Sequence, residues 1–414
     1  MFEQNKNILK LILGLSFVLK IIAVFFFHDK AIDNEWLVLF NNFEKLKIYS
    51  YFTLEGQNIP SSYMPPFYLI FLSINKFLSF NLFNFIYLVY FSQIIISTAS
   101  IILFLKFSKY FFNKEISIIG ATIFAFFPLF IFSNGQISSA TIQVFFYLLF
   151  FNFSIEIIND KKKINIILYS LISACCLLLR GEFLIILFLT LGFISLNKKK
   201  IKLAVIVFFS TFIIVSPYVV RNYINTNKIH LVNVKGYALW KGNNFFSKVE
   251  GFRDPLDPIN RKNWPVIDQF SNLYQKLDDL KISNKYEAER DQVFLNEAVK
   301  NITGDKKKYF VLYVKKIFSY FFIDMNSSIS NYYNIFHIVP NIIIAILAVP
   351  GIFLSIIKKN NSKLWYVLLI MSSIIMTVSI FFILPRYKIS IIIFQILLSL
   401  FSINYILKKV IKKN

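Results

Sequence analysis

Long apolar runs separated by short, lysine-bearing breaks set the pattern of this chain. A helical crossing of a bilayer takes about 20 apolar residues. On that measure, spans are predicted near residues 8–27, 83–105, 115–133, 138–158, 164–180, 183–197, 201–219, 337–357, 364–384 and 388–407. Residues 66–80 are apolar too, but this run is short, carries Lys76 and is cut from the next span at Asn81. It reads as a juxtamembrane or half-buried helix rather than a crossing. The pattern therefore predicts an all-α polytopic membrane protein with about ten transmembrane helices.

Two polar stretches interrupt the runs. The first, residues 29–66, is longer than a plain connection needs and so reads as functional. Within it Trp36, Leu39, Phe40, Phe43 and Leu46 fall on one helical face, which predicts an amphipathic helix lying on the membrane surface. Asp33 stands just ahead of that helix, with Glu35 two residues on. A carboxylate held at the edge of hydrocarbon is costly unless it has a task or a partner. Asp33 is thus the leading catalytic candidate; its plainer role is a helix N-cap. Glu35 is a second-choice base or an orienting partner. Farther along, Tyr49-Ser50-Tyr51 precedes Tyr63-Met64-Pro65-Pro66, where the proline pair fixes the return to the membrane. The second stretch, residues 220–336, opens rich in Gly and Asn, has a Pro-bearing middle and shows helical periodicity from about 272 to 322. Its end, from Lys306-Lys307-Lys308 to Phe322, alternates lysines with aromatics like an amphipathic helix on a membrane. Three parts follow: a transmembrane module over 1–219 with its loop at 28–66, a mixed but mainly helical external domain over 220–336, and C-terminal spans over 337–414.

Composition strengthens this picture. The chain is 57% hydrophobic with 50 phenylalanines, which excludes a soluble globular domain. The net charge of +23 does not indicate nucleic acid, because the lysines sit in short runs between apolar segments. Such runs mark cytoplasmic loops and contacts with anionic lipid. With ten spans, both termini and the lysine-rich loops fall on the cytoplasmic side; counting 66–80 as an eleventh reverses every loop. The 28–66 loop, the Asn134-Gly135-Gln136 turn, the Arg180-Gly181-Glu182 turn and the 220–336 domain then face outward. Arg180 and Glu182 are expected to pair with each other. Cys175 and Cys176 are adjacent in an apolar run and read as free thiols, and three scattered histidines make no metal site.

Cations at the outward edges supply the remaining chemistry. Ser216-Pro217-Tyr218-Val219-Val220-Arg221-Asn222-Tyr223 ends one span, where Arg221 is either a snorkelling anchor or a phosphate clamp with fork geometry. It is followed by Lys235-Gly236-Tyr237-Ala238-Leu239-Trp240-Lys241-Gly242-Asn243-Asn244, whose glycines allow backbone N–H groups to approach a ligand. Leu384-Pro385-Arg386-Tyr387-Lys388 leads into the last span, with Arg386 again an anchor or a clamp.

Taken together, Asp33 with Glu35-Trp36, the Tyr49-Ser50-Tyr51 step and the Pro65-Pro66 return resemble the first external loop of GT-C fold glycosyltransferases. These include the protein O-mannosyltransferase-like enzymes and the lipid A aminoarabinose transferases. Pro217-Tyr218-x-x-Arg221-Asn222-Tyr223 running to Gly242-Asn243-Asn244 is similar to a motif at the start of their large external loop, and Arg386-Tyr387 fits as well. The resemblance implies an inverting transfer of a sugar from a polyprenyl-phosphate donor to an acceptor hydroxyl of a glycan, lipid or protein. It places the reaction at the periplasmic face of a bacterial inner membrane. Asp33 would be the base, with a pKa raised by partial desolvation. Arg221, Arg386 and Lys241 would hold the donor phosphate, and Tyr63, Asn243 and Asn244 would belong to the substrate loops. The residues fix no cofactor, and a divalent cation stays open although the usual second acidic ligand is absent. Relatives that bind a divalent cation carry a second acidic residue near the turn after the third span, whereas Ser133-Asn134-Gly135-Gln136-Ile137-Ser138-Ser139-Ala140-Thr141 has none. The competing classes are a transporter or flippase, an O-antigen polymerase or ligase, and a membrane scaffold. A transporter predicts repeat symmetry and charges deep in spans; here charges gather at span ends, with Lys20 and Lys76 the inner exceptions.

Overall fold

The computed structural model describes residues 2–29, 34–54, 56–80, 82, 84–159, 165–252, 268–327, 334–357 and 361–411. Asp33 therefore lies outside the described residues. In chain order come α1 (Phe2–Phe27), α2 (Glu35–Leu46), a hairpin of β1 (Ser50–Leu54) and β2 (Gln57–Pro60), α3 (Phe67–Leu78) and α4 (Phe85–Ser108). They are followed by α5 (Lys114–Phe126), α6 (Pro128–Phe132), α7 (Ala140–Ile158), α8 (Ile166–Leu179), α9 (Phe183–Lys198) and α10 (Ile201–Thr226). The second polar stretch holds α11 (Lys235–Gly242), α12 (Ser271–Asp278), α13 (Tyr286–Gly304) and α14 (Lys306–Phe321). The chain ends with α15 (Ile335–Ile357), α16 (Ser362–Ile380) and α17 (Ile389–Ile411).

Helix starts follow from asparagine placement. Asn34, Asn84, Asn113, Asn165 and Asn361 each precede a helix, and each side chain accepts a backbone N–H of the first turn. Those N–H groups have no partner within the helix, so an uncapped start next to hydrocarbon is expensive. Pro128 lacks an N–H and opens α6 after α5 has ended, which bends this pair by 52°.

Seven described helices are long and apolar enough to cross a membrane, or eight if the bent α5–α6 pair is one span. The ten expected crossings are thus only partly matched by length. The segments expected at 164–180 and 183–197 form α8 and α9, which are shorter apolar helices, as is α3. The span expected at 201–219 runs on through Pro217 to Thr226, so Arg221 and Asn222 sit on a helix rather than beyond one. Of the two inner lysines, Lys20 is buried within α1, while Lys76 lies 5.7 Å from the Phe85 ring centroid.

Two features of the first loop differ from expectation. Among the described residues the fold is all-α save for one antiparallel hairpin, with Phe52 opposite Ile59, Thr53 opposite Asn58 and Leu54 opposite Gln57. Ser-Tyr-Phe-Thr-Leu is β-prone, and Gly56 takes the positive φ of +76° that the turn requires. The apolar face of α2 also does not simply face lipid. Trp36, Leu37, Leu39 and Phe40 are buried against the hairpin and α3, with Trp36 edge-on to Tyr68 at 4.9 Å. An amphipathic stripe fits a protein surface as well as a membrane, and the hairpin supplies that surface.

A main core joins α4, α5, α7–α9 and α15–α17. A second unites the first loop with α3, Ile137, Leu179 and Tyr286. A third lies within the late polar stretch, where Trp240 is buried among Tyr237, Phe270, Leu273 and Phe294. The Lys306–Phe322 helix is amphipathic as expected. Its Tyr309, Leu312 and Tyr320 are buried while Phe310 and Phe318 are exposed. It runs beside α16, where Tyr313 Oη donates to the Met376 carbonyl at 3.3 Å.

Candidate functional site

The first loop begins where α1 ends, and both ends of its opening are fastened to the turn after α6. Asp29 N–H donates to the Gly135 carbonyl at 2.8 Å, and Asn34 Nδ2 donates to the Ile137 carbonyl at 3.0 Å. The Asp29 carboxylate in turn accepts the Ile137 N–H, with Arg386 and His28 as neighbours. Burial pushes this carboxyl above its ordinary range, while the Ile137 N–H, Arg386 and His28 pull the other way. The turn itself is braced by Gln93, whose Nε2 donates to the carbonyls of Asn134 (2.9 Å) and Gln136 (3.0 Å). Asp29 is the residue that sequence reasoning passed over. Its signal was present as the first acid after the Phe25-Phe26-Phe27 run, but the helical stripe drew attention to Asp33 four residues later.

Arg386 lies in the short 3-10 turn Pro385–Lys388 ahead of α17, close enough to Asp29 for their charges to interact. Lys241, at the end of α11, approaches the same stretch, with Nζ 5.3 Å from the Phe382 ring centroid and 5.9 Å from that of Tyr237. Glu35 opens α2, where a negative charge suits the helix N-terminus. It lies near Tyr63, which is buried and stacked on Tyr51 at 4.5 Å.

Arg221 makes a different set of contacts. Its Nη1 donates to the Ser61 carbonyl at 2.5 Å and to Asn222 Oδ1 at 3.0 Å, and its Nη2 to the Tyr49 carbonyl at 3.1 Å. The guanidinium also lies 5.4 Å from the Tyr49 ring centroid. It ties α10 to the base of the hairpin. Beside it, Glu287 of α13 is buried and accepts from the hydroxyls of Ser61 and Ser62 and from the Ser62 N–H, the last at 2.8 Å. His230 Nε2 is 2.8 Å from Ser62 Oγ, and burial pushes its imidazole below the ordinary range.

Burial pushes the Glu287 carboxyl up to about 7, against the pull of Ser61, Ser62 and Arg221. A carboxyl raised by folding contributes stability that is fully present below its unfolded value and is lost as pH rises through the folded one. The stability of the full chain is therefore expected to fall between pH 5 and 8 by about 3 kcal/mol. Glu287→Gln should flatten this slope. Thermal unfolding of both proteins across that range checks it, and parallel curves would remove Glu287 as the cause.

The glycines and asparagines of the second motif are occupied by the protein itself. The N–H groups of Gly236 and Tyr237 point at the Asp291 carboxylate, at 3.0 and 2.9 Å, instead of being left for a ligand. A Cβ on Gly236 would fall 1.9 Å from the Asp291 carbonyl oxygen, and one on Gly242 1.9 Å from that of Phe381, so both positions serve close backbone packing. Asn243 is buried, with Nδ2 donating to the carbonyls of Leu239 and Ile380 and Oδ1 accepting from Lys316. Asn244 is buried as well and bonds to Trp240, Phe246 and Ser247. The expected pairing of Arg180 with Glu182 is absent among the described residues. Arg180 Nε instead donates to Gln143 Oε1 at 3.2 Å, because the turn sets the guanidinium over α7.

Among the described residues no three His, Cys, Asp or Glu side chains converge as metal ligands. Near Arg386 the described carboxylates include Asp29 and, beside Pro385 and Lys388, Glu250 and Asp324, and they do not converge as a divalent-cation ligand set.

With helices, loops and the acid–cation edge placed, the architecture can be compared with solved ones. No family model matches the chain, and no curated protein matches it by sequence. Among solved structures, the chain is similar to crystal structures of the Archaeoglobus fulgidus oligosaccharyltransferase. The form with zinc and sulfate superposes with a TM-score of 0.56 at 11% identity, covering 96% of this chain and 49% of that one. The form tethered to an acceptor peptide gives a TM-score of 0.57 at 11% identity, covering 97% and 50%. The form with an inhibitory peptide and a dolichol-phosphate gives 0.55 at 12% identity, covering 97% and 50%. This chain spans about half the length of these proteins. At such identity the likeness is one of fold: a multi-pass helical membrane architecture of the GT-C type, as the motifs led us to expect.

Proposed function

We propose that this protein is an inverting glycosyltransferase that moves a sugar from a polyprenyl-phosphate donor to an acceptor hydroxyl at the loop face of the membrane. The observation that carries the reading is the acid–cation pair of Asp29 and Arg386. It lies where the first loop leaves α1, in a fold shared with an enzyme whose structure was determined with a dolichol-phosphate. In this reading ten crossings leave both termini cytoplasmic and the loop face periplasmic, with α8, α9 and the α5–α6 pair completing the count. The chain then divides into a catalytic module over 1–219, an external domain over 220–336 and C-terminal spans over 337–414.

Transfer with inversion needs one base for the acceptor proton and cations for the departing phosphate. Asp33 is the base, with Glu35 beside it. Asp29 holds Arg386 against the leaving group, and Lys241 adds charge beside Phe382. The acceptor oxygen attacks the anomeric carbon as its proton passes to Asp33, and the bond to phosphate breaks on the opposite face. Asp33→Asn is expected to lower turnover by about 10²–10⁴-fold without changing donor affinity. Asp29→Asn should chiefly weaken donor binding. Transfer from a radiolabelled polyprenyl-phosphate sugar to envelope glycolipids, followed by mass spectrometry, measures both. Wild-type turnover in a folded Asp33→Asn protein would sink the base assignment.

A further inference from the structure

Lys306, Lys307, Lys308, Lys315 and Lys316 give α14 a positive charge that no acidic residue within the helix offsets. Its inner face is pinned to the ends of two membrane helices. Tyr313 Oη reaches the Met376 carbonyl one turn before α16 ends at Ile380. Lys316 Nζ donates to the Phe381 carbonyl at 2.5 Å, just past that end. Tyr320 Oη donates to the Tyr387 carbonyl at 3.0 Å, and Gln395 Nε2 of α17 donates to the Phe321 carbonyl at 2.7 Å. Because α16 is long and apolar enough to cross a membrane, these bonds set α14 at the level where that span leaves hydrocarbon.

The other face is exposed. Lys307, Val311, Lys315 and Phe318 recur at i, i+4, i+8 and i+11 along it, with Lys306 and Phe310 beside them. Phe310 and Phe318 are 67% and 62% exposed, which suits hydrocarbon rather than water. Phe245 adds a third exposed ring, with Lys308 Nζ 4.5 Å from its centroid and bonded to its carbonyl. Lys308 and Lys316 are thus spent on protein carbonyls. Among the described residues, Lys306, Lys307 and Lys315 make no hydrogen bond or ion pair. Asp305, just ahead of the helix, offsets one of these three charges; its Oδ1 caps the start by accepting the Lys308 N–H at 3.0 Å. Rings on one face with ammonium groups at their margins fit a helix seated in a lipid surface. Ammonium groups left unpaired there favour anionic headgroups over zwitterionic ones.

We infer that the exposed face of α14 docks on anionic phospholipid of the surrounding leaflet, with Phe310, Val311 and Phe318 among the acyl chains and the phosphodiester headgroups at Lys306, Lys307 and Lys315. The lipid bound here is bulk lipid and not the donor. Binding of this kind needs no sugar transfer, so it stands or falls apart from the transferase reading.

The test places the full chain in nanodiscs of phosphatidylcholine with about 30 mol% phosphatidylglycerol. A photoreactive p-benzoylphenylalanine takes the place of Phe318, and mass spectrometry after irradiation reads which lipid is captured. The same group in place of Ile213, exposed midway along α10, reports the bulk bilayer. The ratio of phosphatidylglycerol to phosphatidylcholine adducts is expected to be at least about threefold higher at position 318 than at position 213. Lys306→Gln, Lys307→Gln and Lys315→Gln combined in one chain should bring the two ratios together. Salt at about 0.5 M should do the same with the lysines in place, since it screens exposed charges. Equal ratios at the two positions at low salt would overturn the inference, as would an excess that survives both the glutamines and the salt. Capture of a second copy of the chain instead of lipid would overturn it too, and so would no capture at position 318, which would put this face in water.

Discussion

Arg221→Ala is expected to destabilise the full chain by about 3 kcal/mol, a larger effect than any it has on donor affinity. The Tyr49 carbonyl would keep its bond from the Ser61 N–H at 2.7 Å, but the Ser61 carbonyl, in a fully buried residue, would lose its Arg221 donor. Glu287 would lose the Arg221 charge that works against its burial at the same time. Arg221→Lys should restore part of the loss, since it keeps the positive charge but lacks the planar fork that serves the Ser61 and Tyr49 carbonyls together. Denaturant unfolding in detergent, read beside limited proteolysis of the 50–64 region, measures this. If stability is unchanged while donor affinity collapses, the guanidinium is a phosphate clamp after all, and its bonds to Ser61 and Tyr49 are replaced on binding.

Gly242→Ala should be at least as damaging. An added Cβ would fall 1.9 Å from the Phe381 carbonyl oxygen and 2.5 Å from its carbon. Neither backbone can retreat easily. Asn243 Nδ2 holds the Ile380 carbonyl at 2.8 Å, and Lys316 Nζ binds the carbonyls of both Gly242 (2.8 Å) and Phe381 (2.5 Å). We expect a loss of about 3 kcal/mol or more, since overpacking against fixed backbone cannot be relieved by rotamer change. Because the same joint carries Lys241 and leads to Arg386, donor binding should fall with it. Gly14→Ala and Gly192→Ala are the controls. Both glycines lie in helices with nothing within 4 Å of an added Cβ, so they should change stability by less than about 1 kcal/mol. An unfolding midpoint for Gly242→Ala equal to those controls would contradict the account.

Much of this arrangement was legible in the chain, and the parts that were not share a cause. Apolar run length located the helices, because burying an unpaired peptide group in hydrocarbon leaves few alternatives. Arg386 and the Pro65-Pro66 return were visible as a charge and breakers at the ends of those runs. What local pattern could not disclose is which partner a group takes. Arg221 read as a snorkelling anchor or a phosphate clamp, and only the fold brings Ser61 and Tyr49 to it. Arg180 and Glu182 looked like a pair because they are close in sequence, yet Gln143 competes for the guanidinium from another helix. Gly236 and Gly242 read as room for a ligand, although the room is filled by Asp291 and Phe381. The hairpin was missed because its strands are short and sit beside a stronger helical signal.

The contact between Ser61 and Glu287 joins positions 226 residues apart, and this separation constrains biosynthesis. At a synthesis rate of about 5–20 residues per second, the first loop waits roughly 10–45 s after emerging before its latch exists. Throughout that interval Tyr51, Phe52 and Tyr63 have no Tyr286 side to close over them, so a chaperone or the lipid surface must shield them. Ribosome-stalled chains ending before residue 287 should accordingly be cut by protease within this loop, and longer ones should resist.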